Sequence, residues 1–305
     1  MEKEIYNKDE IRISELFSIL NASRIFLLKI VLIFSTFFVI YSLNLNDIYR
    51  SESILSVKQE SGADGLLEQY GGLASLAGIN LPSSSGDNGD LIIETIKSRE
   101  FLKKIIQYEQ ILPGLIAAES YDNKTKKIIY DSDIYNESNK KWVRTPKKNR
   151  KTIPSYLEAH ETYLDLLSVY KDPLTGYISV KVDHISPIFS QKLLEIIIFE
   201  CNKKIQEKVL KDSDEALAYL DNELRKEPLN ELRVSISELI KQKMKIKMTA
   251  SVSEYYSFEI IEPPFMPEIK NRPSRSIICI LGAFLGLFLG ILYVWIKYYF
   301  KNEND

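Results

Sequence analysis

The residues closest to a catalytic signature in this sequence are Asp131 and Asp133, in "DSD". Two carboxylates one residue apart can hold a divalent ion, and many glycosyltransferases use a D-x-D to bind a metal and a nucleotide sugar. Here the pair sits in the polar stretch "KKIIYDSDIYNESNKKWVR", with no nucleotide-binding strand–helix–strand unit around it. We read it as two short strands joined by a turn rich in Asp, Asn and Ser. The two histidines, His160 and His184, lie far apart with no Cys or carboxylate constellation, and read as surface or turn residues. Cys201 and Cys279 fall in different segments and offer neither a disulfide nor metal-ligand spacing. There is no G-x-S-x-G, no H-E-x-x-H and no P-loop. The expectation is a protein without catalytic residues, cofactor or metal, and so not an enzyme.

Hydropathy then sets the class. Ile25 to Leu43, "IFLLKIVLIFSTFFVIYSL", carries a single charge, and Ile277 to Ile296 carries none. At about 1.5 Å of rise per residue, each covers roughly the 30 Å hydrocarbon core of a bilayer. Lys29 sits one turn inside the first span, within snorkelling reach of the headgroups. A cleaved signal peptide fits poorly: the span is too long for an h-region and no A-x-A site follows. Tyr293, Trp295, Tyr298 and Tyr299 form an aromatic belt at the end of the second span, with Lys297 and Lys301 beyond.

Two spans leave both termini on one side. The terminal segments carry Lys3, Lys8, Arg12, Arg24, Lys297 and Lys301, and the loop ends carry Arg50, Lys58, Lys270, Arg272 and Arg275. That margin places the termini in the cytoplasm under the positive-inside rule. The expected layout is a cytoplasmic segment 1–24, a span 25–45, an external domain 46–275, a span 276–296 and a tail 297–305. The short ends imply no cytoplasmic kinase, cyclase or signalling output. A net charge of −2 gives no reason to expect a nucleic-acid partner.

Between the spans the pattern is mixed. "YRSESILSVKQ" reads as a strand leaving the membrane. A stretch from Ser61 to Asp90 holds seven of the chain's 12 glycines and reads as a loop, since no Gly-Lys-Ser/Thr follows. Asp90 is the expected N-cap of one helix, "LIIETIKSREFLKKIIQ". "LTGYISVKVDH" alternates as a strand, and Pro187 suits a first helical turn. From Ile188 to Glu227 there is no Gly or Pro, which predicts a helix of about 60 Å. Pro228 ends or kinks it, and a second helix follows through Leu232, Ile236, Leu239 and Ile246. Such a helix is no globular core; it needs neighbouring segments or other copies to steady it. "SEYYSFEIIEPP" supplies a last strand, placed to pair with the first.

Two features near the second span have a mechanism. Gly282, Gly286 and Gly290 repeat every fourth residue and form a smooth stripe that lets another helix, of this chain or another copy, approach closely. Before them runs "PPFMPEIKNRPSR", whose Pro263, Pro264, Pro267 and Pro273 favour an extended, stiff connector. It would couple the last strand to the span.

In these segments and their order the chain resembles the chain-length determinant proteins of bacterial surface polysaccharides, the Wzz-type polysaccharide co-polymerases. The resemblance rests on "DEIRISELFSIL", "GGLASLAGINL", "IKSREFL", "YLDLLSVYKDPLTGYISVKVDHISP", "EALAYLDNEL" and the proline segment, set between two terminal spans. The proline segment departs from the family's Lys-Pro repeats, with Phe265, Met266 and Ile269 between its prolines. The resemblance implies an α+β inner-membrane protein, with two transmembrane helices flanking a periplasmic α/β base domain that carries a long helical arm. It implies a ring-like homo-oligomer that acts with the membrane O-antigen polymerase on an undecaprenyl-linked glycan, setting its modal length without catalysis. A capsule or exopolysaccharide export co-factor of similar layout, working with a separate kinase through Tyr298-Tyr299 or with an exporter, is the other reading.

Overall fold

The structure is a computed structural model that describes residues 21, 23–58, 88–146 and 150–302. The expected lead-in before the first span and the glycine-rich stretch up to residue 87 lie outside the described residues. The chain divides into two compact units, one formed by Met1–Asp47 with Asn271–Asp305 and the other by Ile48–Lys270.

The first unit is a pair of apolar helices, α1 (Arg24–Leu43) and α8 (Arg275–Asn302). Both are long and apolar enough to cross a membrane, and most of their side chains are exposed.

The second unit is built on an antiparallel sheet of four strands. These are β1 (Tyr49–Val57), β6 (Leu167–Lys171), β7 (Ile178–His184) and β8 (Phe258–Glu262), in the order β6-β7-β1-β8. β1 pairs with β7 from Tyr49↔His184 to Leu55↔Ile178, and with β8 at Val57↔Phe258, so the first and last strands of the unit do meet. The period of two shows in β7: Ile178, Val180, Val182 and His184 are buried among the core, while Lys181 and Asp183 point the other way. On that outer face Arg50 pairs with Asp183 at 2.6 Å and Lys181 with Glu52 at 2.8 Å, so opposite charges face each other across the strands.

The buried face is covered by helices α2 (Asn88–Lys97), α3 (Arg99–Ile105), α4 (Ile111–Ile116), α5 (Tyr156–Leu166) and the root of α6 (Pro187–Lys226). α6 begins as its sequence dictates: Pro187 takes the first position and the Ser186 hydroxyl accepts the Phe189 N–H. Leu193, Leu194, Ile197, Ile198, Cys201 and Ile205 then enter the core. Each contributes on the order of 1.5–3 kcal/mol of burial. Beyond Ile205 only Ser213 is buried, and α7 (Asn230–Val252) runs back alongside. The hairpin is fastened at its root by α6 side chains. Asn202 accepts the Tyr256 N–H at 2.8 Å and donates to the Glu254 carbonyl at 2.8 Å. One turn on, Gln206 donates to the Ala250 and Ser253 carbonyls.

Three local expectations need correction. The helix expected from Asp90 starts at Asn88 and is broken in two at Ser98. Ser98 has extended backbone and its hydroxyl accepts the Phe101 N–H, which restarts the helix as α3. The two strands expected around Asp131 are instead halves of two separate hairpins. β2 (Ala118–Asp122) pairs with β3 (Lys127–Tyr130), and β4 (Tyr135–Asn136) with β5 (Lys141–Trp142). Each has its own tight turn, closed by Asp122 in one case and by Asn136 and Asn139 in the other.

Candidate functional site

Within the two-helix unit the three glycines of α8 all face α1. A Cβ on Gly282 would overlap the Phe38 ring, one on Gly286 would come within 2.8 Å of Phe34 Cβ, and one on Gly290 within 2.9 Å of a Leu27 methyl. The rows descend α8 as they climb α1, so the helices run antiparallel, and each glycine accepts one bulky residue of the first span. The stripe is thus used by α1 of the same chain. At the end nearest the connector, Arg275 Nη2 lies 2.9 Å from Asp47 Oδ1; at the other end Phe26 and Tyr293 pack with ring centroids 5.2 Å apart.

The proline segment begins in the second unit as a continuation of β8. Pro263 and Pro264 have no N–H, so the ladder with β1 cannot extend through them. Two serines of β1 take over the hydrogen bonding. The Ser53 hydroxyl donates to the Glu262 carbonyl at 2.6 Å and the Ser51 hydroxyl to the Phe265 carbonyl at 2.7 Å. Both serines are fully buried, and Pro267 is buried as well. The segment is therefore held by side-chain donors where backbone donors are missing. Pro273 lies beyond it, after a cis bond from Arg272. Sequence reading did not single out Ser51 or Ser53; serines alternating with a strand's outward residues look like any half-exposed strand.

Asp131, His160 and His184 each have structural partners. Asp131 is a turn residue: its Oδ1 accepts the Asp133 N–H at 2.8 Å, and its carbonyl accepts from Ile134 and Tyr135. His160 donates from Nε2 to the Lys97 carbonyl at 2.7 Å, tying α5 to the end of α2. His184 is not at the surface as expected. It is buried, donates from Nε2 to the Gly114 carbonyl at 3.1 Å and accepts the Ser186 N–H at Nδ1 at 3.0 Å. Its ring packs 4.2 Å from that of Phe189, which lies against Gly114 so closely that a Cβ there would overlap it. Burial holds its pKa down at about 4, so the imidazole is neutral. Burial likewise pushes the Cys201 thiol up to about 12, which keeps it in the unreactive form. Both cysteines are free.

A buried charge on α6 also went unnoticed in the sequence. Glu200 accepts from the Tyr108 hydroxyl at 2.7 Å and pairs with Lys104 Nζ at 3.0 Å. Burial raises its pKa, and the bonds from Tyr108 and Lys104 lower it by more, so the carboxylate stays ionised. The spacing Lys104…Glu200 is a tertiary one that no local pattern reveals. Among the described residues no three His, Cys, Asp or Glu side chains gather as metal ligands would.

A family model described as "Wzz: Chain length determinant protein" matches residues 9–109, the first span and about the first 60 residues after it. Solved structures similar to the chain include a full-length bacterial polysaccharide co-polymerase. It is 13% identical with a TM-score of 0.45, over 96% of this chain and 100% of that one. Another is a fragment of WzzB, a polysaccharide co-polymerase from Salmonella Typhimurium. It is 13% identical with a TM-score of 0.30, over 74% of this chain and 100% of the fragment. No curated protein sequence matches the chain.

Proposed function

We propose that this chain is a chain-length determinant: a non-catalytic, oligomeric inner-membrane co-polymerase that sets the modal length of the O-antigen of lipopolysaccharide. The observation that carries this reading is the match of residues 9–109 to the chain-length determinant family. The layout supports it. Two apolar helices of membrane-spanning length enclose, in sequence, an α/β unit with a long helical hairpin. In this reading both termini are cytoplasmic and residues 46–275 are periplasmic.

The parts then have roles. The Gly282, Gly286 and Gly290 face lets α1 and α8 pack tightly in lipid, where close contact and not the hydrophobic effect drives helix association. Pro263, Pro264, Pro267 and Pro273 make a stiff connector between β8 and α8, fixed at its start by Ser51 and Ser53. The helical hairpin and the α/β base associate side by side with other copies. The membrane polymerase and the undecaprenyl-linked glycan meet this assembly at the bilayer.

The test is to delete the gene and separate the surface glycans into lipopolysaccharide and capsular or exopolysaccharide fractions. The O-antigen reading predicts an altered length distribution in the lipopolysaccharide fraction alone. A change confined to the capsular or exopolysaccharide fraction would replace it with the export role.

A further inference from the structure

α6 and α7 leave the core together, and their outer faces carry side chains that the hairpin itself does not use. On α7, Met244, Met248 and Val252 follow one another at four-residue spacing and are 46%, 63% and 85% exposed. Lys241 and Lys245 flank them on the same face. The residues that turn towards α6 lie on another side of the helix: Ile236, Ile240 and Ile246 are half-buried, and Ala250 is fully buried. An exposed methionine stripe edged with lysines is adaptable apolar surface, with a positive rim.

α6 carries a complementary face. Asp212, Glu215 and Tyr219 stand at i, i+3 and i+7, all exposed, and Tyr219 is 65% exposed. Glu215 makes only a long, exposed pair with Lys211 at 3.8 Å. The heights match too. Asn202 bonds to the Glu254 carbonyl and Gln206 to those of Ala250 and Ser253, which sets Gln206 of α6 level with about Ala250 of α7, and the Lys247 side chain reaches along the axis to Asp214 at 2.6 Å. Counting outward at equal rise, Asp212 lies level with Met244 and Lys245, and Glu215 lies level with Lys241.

At about 100° per residue, these two faces look to opposite sides of the antiparallel hairpin. A face cannot then reach its complement within one chain, but it can reach the complement on a neighbour set beside it at the same height. Resting on the oligomeric reading above, we propose that the Lys241–Met244–Lys245–Met248–Val252 face of α7 seats against the Asp212–Glu215–Tyr219 face of α6 in a second copy. The contact is heterologous: each copy offers one face and receives the other, so repetition closes into a ring when the turn per copy divides a circle. Methionine and valine are removed from water, Lys245 meets Asp212, and Lys241 meets Glu215 and extends toward the Tyr219 ring.

The test is oxidative cross-linking of the full-length chain in its membrane, with Cys279→Ser as background and Cys201 left buried in the core. With Met244→Cys and Asp212→Cys in one chain, the expected result is a series of cross-linked species, from dimer upwards. Either cysteine alone should give monomer, and co-expression of the two single variants should give dimer and nothing larger. Lys241→Glu should cut the cross-linked yield several-fold, and adding Glu215→Lys should restore it. The uncross-linked chain is sized in parallel by light scattering in detergent. A multimer whose double-cysteine variant yields only monomer overturns this interface and leaves the oligomeric reading standing. A monomeric chain overturns both.

Discussion

His184 is neutral, buried and bonded at both ring nitrogens, and its surroundings set all three properties. It joins the end of β7 to α4 through the Gly114 carbonyl and to the start of α6 through the Ser186 N–H. Its pKa is about 4 in the folded chain, against 6.5 for an unperturbed imidazole. Below pH 6.5 the unfolded chain binds a proton that the folded chain refuses. The His184 contribution is therefore complete above that pH, shrinks as the pH falls and levels off near 4. Its full span is about 3 kcal/mol. Unfolding of the detergent-solubilised chain from pH 7 to pH 4 should show this loss. His184→Gln, less stable at pH 7, should show a shallower decline over the same interval. Equal slopes for the two proteins would contradict the assignment. Nothing in the sequence around "VDHIS" distinguishes a buried histidine from one in an exposed turn. The helix start at Pro187, by contrast, was plain, because proline's fixed backbone angle suits a first turn whatever lies around it.

At the scale of elements, the connector after β8 gives the clearest case of side chains replacing backbone. Prolines end the β1–β8 ladder, and the Ser51 and Ser53 hydroxyls supply the donors that hold the chain onward to Pro267. Replacing either serine by alanine should cost about 1 kcal/mol. The backbone amides of Phe265, Met266 and Glu268 should also exchange faster with solvent, whereas Ser56→Ala on the same strand should leave them unchanged. Unaltered exchange in Ser51→Ala and Ser53→Ala would show that the segment is held by something else. The elements that sequence made legible were those with long periods or clear punctuation. The 40-residue α6 had no interior breaker, Pro228 stopped it, and β7 alternated cleanly. The missed elements lacked punctuation. β6 follows α5 with no residue between Leu166 and Leu167, so neither Gly nor Pro marks the change of period. Ser98 split a helix whose apolar positions run through the break, since Ile96, Phe101, Leu102 and Ile105 are all buried in the same core.

At the scale of the whole molecule, the two long apolar helices and the mix of helix and sheet between them were readable from hydropathy and period alone. The partner of the glycine stripe was not. Spacing says that a helix approaches Gly282, Gly286 and Gly290, but only the structure shows Phe38, Phe34 and Leu27 of α1 filling the three notches. In the same way, the long helix read as one that needs a neighbour to steady it, but only the bonds of Asn202 and Gln206 show α7 in that place and at what height. The largest claim, that this chain sets polymer length and does not make polymer, is tested most directly by the lipopolysaccharide ladder of a deletion strain. Without the gene, O-antigen should still be made, but its lengths should lose their preferred value. Returning the intact chain on a plasmid should restore a single mode. Disappearance of O-antigen on deletion, or a distribution unchanged by deletion, would contradict length control.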